Sequence, residues 1–137
     1  MICDGRGTAL AFILSQGQRH DAAFFHATWD AGVEAAAAMG GPTPAKLAAD
    51  KAYGAGHIRR RLAEEKVGAV IPKKRNETLD ASDGPFDRPT YRRRNVVERL
   101  IGWLKHWRAV ATRYDKLARN FRATLTLALI ERSLRRT

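Results

Sequence analysis

Cysteine occurs once, at Cys3, so no disulfide can form within the chain. The four histidines (His20, His26, His57 and His106) show none of the paired Cys/His spacing that a structural zinc site requires. No apolar run approaches the roughly 20 residues of a membrane span, and the opening residues carry neither a secretory-signal nor a transit-peptide pattern. The expectation is a cytoplasmic protein with no membrane partner. Acidic side chains are scarce in one region only. Up to Asp87 there are 11 Lys/Arg against 11 Asp/Glu, whereas from Arg88 onward there are 14 against 3. The whole net charge of +11 therefore belongs to the last third. Such asymmetry suits a polyanion, because cations that neutralise phosphates release condensed counterions; a solvated basic face is the plainer reading of charge alone.

With 137 residues, 45% of them hydrophobic, the chain has the length and balance of one globular domain. Thr8 to Ser15 (TALAFILS) is a continuous apolar run, as in a strand buried on both faces. Asp21 to Met39 is alanine-rich and stops at Gly40-Gly41-Pro42, predicting a helix. Lys46 to Asp50 predicts a short strand, His57 to Lys66 a helix, and Gly68 to Pro72 a further strand. Alternating strands and helices predict parallel pairing in an α/β layered fold over residues 1–75. Residues 76–89 turn polar, with Asp83-Gly84-Pro85 and Arg88-Pro89 as punctuation, and read as a mobile surface loop. Residues 90–137 form a basic helical part. One helix is expected from Thr90 to about Thr112 with Val97, Leu100, Ile101, Leu104 and Trp107 as its apolar side, and another from Asn120 to Leu134 with Phe121, Leu125, Ala128 and Leu129.

On the first of these helices a polar line stands beside the apolar one. At 100° per residue, Tyr91, Arg94, Glu98 and Lys105 fall within about 60° of one another. Gly102 lies on the same side. A helical glycine costs roughly 0.5–1 kcal/mol relative to alanine, and close approach of another backbone or a ligand is one reason to accept that. By spacing alone the plainer reading is an amphipathic helix with Arg94 and Glu98 as an i,i+4 pair. Trp103 and Trp107 offer rings for base stacking, but tryptophan at helical spacing is more often core, and Trp107 is expected there.

Tyr91-x2-Arg94-x3-Glu98-x6-Lys105 resembles, without a gap, the signature around the catalytic glutamate of insertion-sequence DDE transposases. Ala49-Asp50-Lys51-Ala52-Tyr53 is similar to that family's second-aspartate motif. Cys3-Asp4-Gly5-x-Gly7, followed by an apolar run and Gly17-Gln18-Arg19-His20-Asp21, is similar to its first-aspartate region, and Arg113-Tyr114-Asp115-Lys116 to a segment beyond the glutamate helix.

The resemblance implies a ribonuclease H-like fold, with two aspartates on neighbouring sheet strands and the glutamate on a packed helix. It implies DNA cleavage and strand transfer with Mg²⁺, or Mn²⁺ in its place, held by Asp4, Asp50 and Glu98, since carboxylate oxygens suit these hard cations. Two ions between three carboxylates serve an in-line displacement at phosphorus. Asp21 is the nearest rival to Asp4 but reads better as a helix cap. Tyr91, Arg94, Lys105, Arg113 and Lys116 are the implied DNA contacts, with Lys51, Arg93 and Arg99 as further basic candidates. Double-stranded DNA, at element ends and target, is the implied partner, bound by a homo-oligomer.

Full-length members carry a DNA-binding region and most of a central strand before the first aspartate, where this sequence has only Met1, Ile2 and Cys3. The expectation is a single catalytic domain over 1–137, truncated at its first strand, folding marginally and inactive or nearly so alone. It would be the second frame of a frameshifted gene, completed by an upstream reading-frame product, or a truncated copy. The competing reading is an inactive DNA-binding fragment that inhibits a complete transposase.

Overall fold

A computed structural model describes residues 1–16, 20–75 and 85–135. Two strands open the chain: β1 (Ile2–Cys3) and β2 (Ala9–Ala11) pair antiparallel, with a register irregularity between Ile2 and Cys3. A 3-10 turn (Asp21–Phe24) leads into α1 (Phe25–Ala38), so Asp21 is the first residue of the turn and not the residue before it. Then come β3 (Lys46–Ala48), a 3-10 turn (Lys51–Tyr53), α2 (Gly56–Glu64) and β4 (Gly68–Val70). β3 and β4 pair parallel, Lys46 opposite Gly68 and Ala48 opposite Val70. This is the βαβ unit that the alternation predicts.

A compact core fixes this half. Ile58 and Leu62, one turn apart on α2, are both completely buried, and they pack with Phe25 and Trp29 of α1 and with Val67 and Ile71 flanking β4. At the rim of the α1–α2 contact, the Trp29 indole N–H donates to Glu65 at 2.6 Å, while Arg61 pairs with both Glu65 and Asp30. These bonds, the tryptophan's first and then the arginine's, hold the Glu65 carboxyl below its ordinary range. Gly32 allows the close approach of β1 to α1. A Cβ there would stand 2.7 Å from the Ile2 Cγ2 methyl.

The basic half is helical: α3 (Arg88–Arg93), α4 (Asn95–Leu104), α5 (Arg108–Ala111) and α6 (Ala118–Arg135). The expected single helix from Thr90 to Thr112 is thus three. Arg94 tightens the backbone between α3 and α4, with i→i+3 bonds from Arg94 N–H to Tyr91 and from Val97 N–H to Arg94. Trp107 leaves the helix in an extended conformation, and its ring lies 6.1 Å from that of Trp103. Both tryptophans pack against a second core of Leu104, Leu125 and Ala128, in keeping with the core reading of Trp107. On α4 only Leu100 and Leu104 of the predicted stripe are buried, and Ile101 is exposed. The α6 stripe stands as predicted, with Leu125 and Ala128 buried and Phe121 and Leu129 packed beside them.

Three expectations need correction. The strand expected over Thr8 to Ser15 is only Ala9–Ala11, because Phe12 and Leu14 turn to the second core instead of extending the ladder. Among the described residues the four strands form two separate two-stranded ladders, so β1 and β3, which precede the two aspartates, are not neighbours in one sheet. Most of the expected loop, residues 76–84, lies outside the described residues, but its end is a helix start. Asp87 caps α3 by accepting from Thr90 N–H at 3.0 Å, and Pro89 occupies the first turn, where its missing N–H costs nothing. Lys46 donates to Asp87 at 2.7 Å, tying β3 to α3, and this bond first, then the Thr90 bonds, holds the Asp87 carboxyl far below the carboxylate range.

Candidate active site

Asp4 follows β1 directly and organises a tight turn. Its Oδ1 accepts from the backbone N–H groups of Arg6 (2.9 Å) and Thr8 (2.8 Å), while its own N–H donates to Thr8 O at 2.9 Å. Gly7, buried, closes this turn with φ +82°, a conformation that favours glycine. The two glycines around Arg6 are therefore not equivalent: Gly7 is required by the backbone, whereas a Cβ at Gly5 would meet nothing.

Asp50 stands two residues beyond β3, in extended conformation, and its Oδ1 accepts from Ala52 N–H at 2.8 Å. Tyr53 packs into the first core, and Arg59 of α2 donates to Gly54 O and, at 3.1 Å, to Ile71 O. The turn after Asp50 is in this way anchored to α2 and to the end of β4. Each aspartate has one carboxylate oxygen held by backbone donors, which fixes its side chain before any ligand arrives.

Glu98 lies in the first turn of α4, exposed, in an ion pair with Arg94 at 2.7 Å. The Arg94 guanidinium also covers the Tyr91 ring, 5.4 Å from its centroid, and the Phe86 ring lies tilted against Tyr91 at 5.3 Å. The structure thus brings Tyr91, Arg94 and Glu98 into one contiguous line, despite the break between α3 and α4, because Arg94 keeps helical dihedrals. Lys105 is exposed at the C-cap of α4. Arg113 (φ +46°) and Lys116 are exposed in the connection from α5 to α6, and Lys51, Arg93 and Arg99 are exposed as well. A Cβ at Gly102 would meet no atom, so this glycine serves no close approach within the chain.

Among the described residues, no group of three or more His, Cys, Asp or Glu side chains stands together as a cation site. α4 packs against β1, which brings the glutamate helix to the strand that Asp4 follows. The donors fit a hard divalent cation in kind, being carboxylate oxygens, and Glu98 is committed to Arg94.

One basic residue escaped the sequence reading. Arg132 of α6 lies with its guanidinium 4.9 Å from the Trp103 ring centroid, on the helix that carries Glu98. Its charge is also felt at Cys3, whose thiol is pushed up by burial first and by Asp4 second, with Arg132 opposing. Nothing in the local pattern of α6 distinguishes Arg132 from its neighbouring arginines; only the fold places it beside the Asp4 turn.

Residues 1–130 match the family model described as the transposase DDE domain, and the chain belongs to that family. The match spans both halves of the structure, from β1 to all but the last residues of α6. No characterised protein and no solved structure gave a match.

Proposed function

We propose that this chain is the catalytic part of a DNA transposase, performing metal-dependent strand cleavage and strand transfer. The family membership gives the chemistry its class. The observation that carries the residue assignment is the line Tyr91–Arg94–Glu98, which runs from α3 across Arg94 into α4, the helix packed against the strand that Asp4 follows. In this reading Asp4, Asp50 and Glu98 would hold Mg²⁺ or Mn²⁺, which would supply Lewis-acid chemistry for displacement at phosphorus. Asp4 and Asp50 enter with their carboxylates already oriented by backbone N–H groups. Glu98, paired with Arg94 in the structure, would have to give up that ion pair to serve as a ligand, which would leave the guanidinium as a two-pronged donor for a phosphate. Tyr91, Lys105, Arg113 and Lys116 hold neighbouring phosphates of double-stranded DNA, within a multimer that pairs element ends.

A second reading has an observation of its own. The absence of a three-acid cluster among the described residues favours a DNA-binding chain without turnover. One experiment separates the two. The full chain is incubated with supercoiled plasmid and Mg²⁺ or Mn²⁺, and nicking is followed beside Glu98→Gln. Metal-dependent nicking that disappears in Glu98→Gln, with DNA binding retained, is the expected result. Nicking unchanged in that variant removes Glu98 from the site; binding with steep salt dependence and no nicking in any metal establishes the second reading.

A further inference from the structure

Of the large apolar and aromatic side chains that stand exposed among the described residues, Tyr114 is the most open, at 84%. The other two tyrosines are engaged: Tyr53 packs on the first core, and Tyr91 meets the Arg94 guanidinium and the Phe86 ring. A lone exposed ring is common on protein surfaces, and it is the setting that distinguishes this one. Lys105, Arg108, Arg113, Lys116 and Arg119 are all exposed in the same stretch of chain, and none of the five has an ion-pair partner among the described residues. The one acid between Lys105 and Arg119 is Asp115, which is half-buried and accepts from the Thr124 hydroxyl at 2.9 Å. The loop from α5 to α6 therefore turns its carboxylate to α6 and leaves Tyr114 among unpaired cations.

The backbone holds this arrangement in place. Arg113 follows the C-cap of α5 with φ +46°, its N–H donating to Val110 O at 3.3 Å. That is the position after a helix end which glycine ordinarily fills, because a side chain there strains the backbone. What arginine brings in exchange is charge beside Tyr114. On the other side, the Asp115–Thr124 bond ties the loop to α6. A ring carried on an anchored loop has little freedom left to lose when it is covered.

Aromatic rings interleaved with cations suit a nucleic-acid strand, since the ring stacks on the face of any base while the cations meet the phosphates. Bases within a duplex are covered on both faces by their neighbours. An open face is found on a base that has left the stack. Cations alone would suit an acidic protein surface as well, and the family membership favours DNA.

We propose that Tyr114 stacks on one unpaired base of a DNA strand while Arg113 and Lys116 neutralise the phosphates next to it, so that the α5–α6 loop tells an opened strand end from intact duplex. The inference rests on the transposase reading for DNA as the ligand; the base contact and the preference for an opened end are additional to that reading.

The test uses the full chain and two fluorescent DNA duplexes that share one paired sequence, one blunt and one with an unpaired 3′ tail, with affinity measured as a function of salt. The wild type is expected to bind the tailed duplex about tenfold more tightly. Tyr114→Ala is expected to lose that preference, changing the affinity for the blunt duplex by no more than about twofold. Its slope of log affinity against log salt stays as in the wild type, because the ring carries no charge. Tyr114→Phe keeps the ring and the preference. Arg113→Gly, whose backbone suits the positive φ, is expected to lower the slope by about one on both duplexes. A preference that survives in Tyr114→Ala, equal losses on both duplexes, or a loss in Tyr114→Phe as large as in Tyr114→Ala overturns the base contact. Should Tyr114→Ala alter the fold, the wild type decides, since indifference to the tail is enough to reject the proposal. Metal-dependent nicking without a preference for the tail removes the base contact alone, whereas a wild type that binds neither duplex removes the transposase reading with it.

Discussion

The two halves of this molecule spend their apolar residues differently. In the α/β half, six large side chains from α1, α2 and the flanks of β4 close one core, and Ile58 and Leu62 have no exposure at all. The basic half has a smaller core of Leu104, Leu125 and Ala128, and it carries six of the eight large hydrophobics that are exposed among the described residues. Leu127, Ile130 and Leu134, on one side of α6, are 63%, 50% and 71% exposed. The same half holds all of the net positive charge. One half is organised to fold and the other to present surface, and the first strands join them: Ile2 packs on the first core, Met1, Phe12 and Leu14 pack on the second, and Lys46 reaches Asp87.

The contrast can be broken most directly in the cores. Leu62→Ala is expected to destabilise the chain by about 2–5 kcal/mol, measured by urea unfolding, because it empties a site with no exposure. A loss under about 1 kcal/mol would mean that the α/β core is not the source of stability. Gly32→Ala comes next. The new methyl meets Ile2 of β1, and overpacking of this kind costs about 1–3 kcal/mol, partly offset by better helix propensity. A gain in stability would show that β1 is not seated on α1.

Acid tests the link between the halves. The Asp87 carboxyl is held below its ordinary value in the folded chain, so its contribution is fully present above the unfolded value of about 4 and is lost as pH falls through the lower folded value. Glu65 acts in the same sense. Asp87→Asn retains a capping side chain but not the charge, and a shallower fall of the urea midpoint below about pH 4 is expected. Identical pH profiles for the variant and the wild type would detach Lys46–Asp87 from stability. Gly102→Ala, where a methyl meets nothing, should stabilise by about 0.5–1 kcal/mol; a loss there would reveal a packing role in the basic half. Leu127→Ala, smallest of all, should stay within about 0.5 kcal/mol, and a larger loss would show that the exposed face of α6 is covered in solution.

The helical part of the candidate site is legible because its signals are local. The Tyr91, Arg94 and Glu98 line follows from helical periodicity, and it survives the break at Arg94 because that residue keeps helical dihedrals. The βαβ unit follows from short apolar runs separated by a helical stretch with Ile58 and Leu62 four apart. The breaks at Arg94 and Trp107 were not legible, since both residues suit a helix and it is packing between Trp103 and Trp107 that turns the chain. Pro89 reads as loop punctuation in the sequence although proline also opens helices, and only the Asp87 cap distinguishes the two uses. Gly102 drew notice as a possible close approach, yet Gly32, embedded in an alanine-rich stretch, is the glycine against which another strand packs.

The sequence by itself determined the family, the charge division and the periodic faces of α2, α4 and α6, because each is a property of residues a few positions apart. Tertiary structure alone decided which glycine admits β1, that the strands among the described residues pair in two ladders, and that Arg132 of α6 stands beside the Asp4 turn. These are contacts between residues distant in the chain, and no local preference encodes them; they arise when burial of apolar surface brings separate elements against one another.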